Sequence, residues 1–132
     1  MNTGDSPTLN KIIGFSLIFA LIGGSALSAD PAAGTDQLSE TIHYLLAFVK
    51  ESECRFFRND KEHSAGEAAA HMQRKYEHFK NEIKTAEEFI RLAATKSLMT
   101  GRLYYVKLKN GEKMTSEAWL LQALDTYRQK QE

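Results

Sequence analysis

The sequence has a single cysteine, Cys54, and therefore no intrachain disulfide to staple it. It has no surplus of charge either, with 17 Lys and Arg against 17 Asp and Glu. Nucleic-acid phosphates are held by a cationic excess on one face, so that class of partner is not expected. The same balance argues, more weakly, against an anionic membrane surface. There is no Gly-rich phosphate loop, paired-cysteine metal motif, Gly-x-Ser-x-Gly elbow or His-Glu-x-x-His, and no cofactor or metal is implied. These absences lower the expectation of an enzyme without removing it, because triads assemble in space rather than in sequence.

What is present begins with an address. Lys11 is followed by the apolar run Ile12 to Ile22, by Gly23-Gly24, and by "SALSAD", in which Ala26 and Ser28 carry small side chains. The run is shorter than the ~20 apolar residues a spanning helix needs. A basic residue, a short apolar core and a small-residue exit make residues 1–28 a signal peptide, cleaved after Ser28 or, as the alternative, after Ala29. The expected location is the periplasm, with no stable membrane insertion after cleavage. Residues 29–35 read as a flexible lead-in and 36–132 as one small domain.

Four helical patterns fill that domain. The first starts after Thr35 or Asp36 and buries Leu38, Ile42, Leu45 and Val49, with Tyr44 and Phe48 widening the stripe. The second carries Ala65, Ala68, Ala69, Met72, Tyr76, Phe79 and Ile83 at helical spacing, and Ser64 with Glu67 forms a capping box ahead of it. Thr85 and Glu88 repeat the box before a third helix that buries Ala86, Phe89, Ile90 and Ala93, frays around Ser97 and stops by Gly101. Ser116 is expected to cap the last helix, with Trp119, Leu120, Ala123, Leu124 and Tyr127 facing inward. Between the last two helices the period changes to alternation around Asn110-Gly111. This predicts a β-hairpin near 103–115, with strands at Leu103 to Leu108 and Lys113 to Thr115. "CRFFRN" is expected to lie extended beside it. The fold class is mainly α with a small antiparallel hairpin, a single α+β domain.

"CRFFRND", "EAAAHMQRKY", "TAEEFI", the Thr100 to Tyr104 turn into the strand, and "SEAWLLQAL" followed by "YR" occur in this order. As an ordered set they resemble the YfeK-like family of small secreted Gram-negative bacterial proteins of unknown function. The resemblance covers nearly all of residues 29–132. It implies export and brings no catalytic assignment. Asp60 departs from the resemblance, which favours Gly in that turn, and makes the turn stiffer.

Three roles stand open for Cys54: a small buried residue, a disulfide to a second chain, or a thiolate nucleophile with its pKa lowered by Arg55 and Arg58. Alternation puts Cys54 on the face of Phe56 and Arg58, with Arg55, Phe57 and Asn59 opposite, which favours burial. The nucleophile reading would make a small cysteine-dependent enzyme with His71 as base. Glu67, His71, Arg74 and His78 share one sector of the second helix. Glu67 is already committed to a cap and Arg74 would repel a cation, so a solvated polar face is expected there instead of a metal site.

The binding candidates are Arg55, Arg58, Asn59, His71, Lys75 and Thr100. Arginine forks suit carboxylates and phosphates, so the expected partner is a periplasmic protein or a small anionic ligand. The competing role for the arginines is pairing with Glu51, Glu53 or Asp60. The expected function is thus a periplasmic binding or interaction module. Intact mass of the exported protein should give an N-terminus at Ala29 or Asp30. Retention of Met1 would overturn the signal-peptide assignment.

Overall fold

A computed structural model describes residues 31–132. The signal peptide and its cleavage sites lie outside the described residues. The chain divides into two units, Met1–Ala33 and Gly34–Glu132, of which the second is compact. Of the first unit, the described part is Pro31 to Ala33, the opening of helix α1 (Pro31–Glu51). The helix thus begins ahead of the start at Thr35 or Asp36 that its apolar stripe predicts. Proline at the first helical position lacks only an amide that has no helical partner there.

Within Gly34–Glu132, α1 buries Ile42, Leu45 and Val49 as its periodicity predicts. It ends where Glu53 takes a positive φ of 57°, turning the chain into strand β1 (Arg55–Arg58). Strand β2 (Lys61–His63) returns antiparallel, with Phe56 opposite His63 and Arg58 opposite Lys61. This second hairpin is absent from the sequence prediction. Its turn is Asn59-Asp60, at φ 53° and 65°. Paired positive φ values mark the hairpin turn whose twist matches the strands, and Asn and Asp tolerate it. Asp60 thus adopts the conformation that glycine would take freely, and its carboxylate holds the Arg102 guanidinium at 2.6 Å.

Helix α2 (Ala65–Phe79) carries the predicted Ser64–Glu67 capping box, and α3 (Ala86–Ala93) carries the predicted Thr85–Glu88 box. Ile83 is buried as expected but sits beyond the end of α2, and α3 stops at Ala93, well before Ser97. Strands β3 (Tyr105–Lys107) and β4 (Lys113–Thr115) form the predicted hairpin. Of Asn110-Gly111 only Gly111 has a positive φ, at 90°. Its amide donates to Leu108 O, and Leu108 N donates to Glu112 O, which makes a three-residue loop with glycine at its last position. Helix α4 (Ser116–Gln131) ends the chain.

The four strands form one antiparallel sheet in the order β2-β1-β3-β4. Its inner face presents Phe56 and Val106, and α2 and α4 pack against the sheet. Trp119 of α4 ties three elements together. Its ring lies 4.7 Å from Phe48 of α1 and meets Phe56 of β1 edge-on at 5.6 Å. Phe89 and Ile90 of α3 close the other end of the same core. Cys54, 7% exposed, belongs to this core.

The cap of α4 differs from expectation. Thr115 Oγ1 accepts from Ala118 N, while Ser116, one residue later, is wholly buried. Its hydroxyl has no hydrogen-bond partner. Urea titration should therefore separate the two residues. Thr115→Ala should cost about 1 kcal/mol, the usual loss of a cap. Ser116→Ala should be neutral or stabilising, because it removes a buried, unpaired polar group. The reverse order would restore Ser116 as the cap.

Candidate functional site

The β1–β2 turn, the middle of α2 and the loop after α3 meet around a pocket of about 270 Å³. Its lining is Arg58, Asn59, His71, Lys75, Ser97 to Met99 and Tyr104. Arg58 reaches it because strand alternation turns Arg58 to the side of Phe56, inward. The turn then sets Asn59 beside the loop, where Thr100 Oγ1 donates to Asn59 Oδ1 at 2.7 Å. Thr100 therefore fixes a lining residue without lining the pocket itself. Arg55 lies on the other side of the strand, exposed, with its Nε 3.3 Å from the Glu62 carboxylate. The structure thus gathers Arg58, Asn59, His71 and Lys75, holds Thr100 against them and places Arg55 elsewhere.

On the polar face expected of α2, Glu67, Arg74 and His78 are exposed as expected, and His71 is not. Lys75 is 7% exposed, and its ammonium donates to Lys96 O at 2.8 Å and stands 5.1 Å from the centre of the Tyr104 ring. His71 is half-buried, with Nε2 sharing a hydrogen bond with Tyr104 Oη at 3.2 Å and the two rings edge to face. Both side chains reach the sheet side because Tyr104, buried just before β3, offers them a hydroxyl and a ring face. Sequence reading missed Ser97 to Met99 and Tyr104 as parts of the site, and Tyr104 is the one that holds His71 and Lys75. Its place in an alternating segment marks it for one face or the other, and only the packing of α2 shows what meets it there.

The electrostatics of the pocket are one-sided. Among the described residues its lining holds two cations and no carboxylate. Among the described residues Lys75 makes no ion pair, and neither does Arg58. Glu67 is close enough to feel Arg58, but its carboxylate accepts from Ser64 N and faces His63. Burial depresses the pKa of Lys75, and Arg58 adds to the effect. His71 is pushed down to about 4, first by burial and then by Arg58, Lys75, Arg74 and His63. Tyr104 is raised by burial, with Arg58 opposing. At neutral pH the site therefore holds a neutral His71 and a protonated Tyr104 phenol beside Arg58 and Lys75.

Behind the His71–Tyr104 pair lies a second, apolar cavity of about 20 Å³, lined by Phe56, Ala68 and Met72 among others. His63 Nε2 and Ser116 Oγ, both buried without a hydrogen-bond partner, border it. A space of that size is enough for about one water molecule.

The other candidate chemistry disperses. Cys54 Sγ donates to Ser52 O at 3.6 Å, and His71 is engaged by Tyr104, so the described residues hold no thiol–imidazole pair. Glu67 is taken up in its cap and His78 packs on Phe79. Among the described residues no three His, Cys, Asp or Glu gather into a metal-sized group.

The chain with this fold falls in a class of protein that is defined by sequence and whose function is unknown. Residues 36–128 match the model described as "Family of unknown function (DUF5329)", and the chain belongs to that family. The Uncharacterized protein YfeK of Salmonella typhimurium is 37% identical over 60 residues, which are 46% of this chain and half of that protein's length. Both findings agree with the resemblance drawn from the ordered motifs. No solved structure matches.

The burial and charge around His71 set its titration. Its lowered pKa means that the unfolded chain binds the proton more readily. The stability His71 contributes is complete above its ordinary value of 6.5 and is lost as pH falls towards about 4. NMR titration of the ring should give a midpoint well below 6.5. Arg58→Gln should raise that midpoint. An ordinary midpoint, unmoved by Arg58→Gln, would mean that the ring is solvated and the pocket is open water.

Proposed function

We propose that this chain is an exported binding module that captures a carboxylate- or phosphate-bearing group, carried by a small molecule or by a periplasmic partner protein, in the pocket of Arg58 and Lys75. The observation that carries the reading is a lysine, 7% exposed, whose partners among the described residues are a backbone carbonyl and an aromatic ring, beside an arginine that makes no ion pair among the described residues. Burying a charge is unfavourable unless an opposite charge or several hydrogen bonds compensate it. An anion in the pocket would supply both. The amide of Asn59, the hydroxyl of Ser97 and the free ammonium protons of Lys75 add donors around the guanidinium of Arg58. Export is supported by the apolar run Ile12 to Ile22 and the small residues after it. No helix among the described residues is long and apolar enough to cross a membrane.

The test is a titration of the protein with inorganic phosphate and with acetate, followed by backbone amide shifts. Shifts should concentrate at Asn59, Lys75 and Ser97 to Thr100. Arg58→Gln should weaken binding roughly 10-fold to 100-fold, the usual effect of losing a charged hydrogen bond. Arg55→Gln, whose partner is Glu62 on the opposite side of the strand, should leave it unchanged. Equal effects of the two substitutions would move the anion site off this pocket.

A further inference from the structure

The pocket has a second property that a bare anion does not use. Its outer wall is Leu98 and Met99, which are 61% and 95% exposed. Large apolar side chains this open are uncommon when neighbouring in sequence, and a frayed loop would account for them. This loop is not frayed. Ser97 N donates to Arg102 O, Gly101 N to Ser97 O and Tyr104 N to Thr95 O. Thr100 N donates to Ser97 Oγ, Thr95 Oγ1 donates to Ile90 O, and Lys96 bridges Leu103. Gly101, at φ 72°, makes the reversal that closes the loop. With its backbone satisfied from inside, the segment holds the Leu98 and Met99 side chains out at the rim of a cationic pocket. Sulfur and unbranched carbon make Met99 an adaptable apolar contact.

Resting on the anion-binding reading above, the geometry points to a ligand that is a single-chain amphiphile: a carboxylate or phosphate head held by Arg58 and Lys75, and an apolar chain laid along Leu98 and Met99. Size agrees with this. A volume of about 270 Å³ lies just below the range of roughly 300–1,000 Å³ that small organic ligands occupy. The charge pattern agrees too. Two cations, Arg58 and Lys75, line this pocket in a chain that carries no net charge, which suits one head group at a time better than a charged lamella.

The experiment compares acetate with octanoate, below its micelle concentration, by amide-shift titration of the purified protein. Octanoate should bind about tenfold more tightly, the effect of burying roughly two methylenes. Its chain should shift the amides of Leu98 and Met99 as well as those that acetate shifts. The double substitution Leu98→Ser, Met99→Ser falls on exposed side chains, so the fold should tolerate it, and it should bring the octanoate-to-acetate ratio towards one. Equal affinities for acetate and octanoate in the wild type would overturn the amphiphile and leave the anion site standing. Binding of neither probe would overturn both. Sedimentation with phosphatidylglycerol vesicles, without any response to monomeric octanoate, would assign the site to a bilayer surface and overturn the single-chain ligand.

Discussion

Strands β1 and β3 lie far apart in sequence and pair with Phe56 opposite Val106. Because side chains alternate, a slip of one residue in that pairing would turn Phe56 and Arg58 outward and bring Phe57 into the core. The register is held by what the inner face meets. Phe56 sits against Trp119, and Val106 is wholly buried. The same pairing brings the Asn59-Asp60 turn to the loop that follows α3, where Thr100 and Arg102 fasten it. Core and pocket therefore share one alignment, and neither can be shifted without the other.

Much of the architecture was legible because local chemistry and apolar period agreed. Both predicted capping boxes form, the stripes of α1 and α4 are buried, and the alternating segment makes a hairpin. What escaped was local structure whose cause is tertiary. Strand β2 is three residues of Lys, Glu and His, with no strand propensity to announce it, and it exists because β1 offers an edge and Asn59-Asp60 permits the turn. Ser116 looked like a cap by residue type, yet Thr115 holds the position because β4 runs directly into α4.

The site was legible as a set of residue types and not as a geometry. Arg58, Asn59 and Lys75 were chosen for donors and charge, and they line one pocket. Arg55 was chosen on the same ground, yet strand alternation sends it the other way. His71 was placed on a solvated face because it lies opposite the apolar stripe of α2. That inference takes a helix to have one buried side, whereas α2 packs against the rest of the core with one flank and covers Tyr104 with another. A neutral sequence likewise conceals a local imbalance. Carboxylates elsewhere balance the total while, among the described residues, none enters the pocket lining.

The order β2-β1-β3-β4 leaves two strands at the margins of the sheet, each three residues long and each starting with lysine. Short, charged margins are poor templates for a further strand, from a second copy or from an extended peptide. Recognition by adding a strand is thereby discouraged, and so is the edge-to-edge growth that leads to aggregates. Such margins let copies of this chain crowd together without their sheets joining.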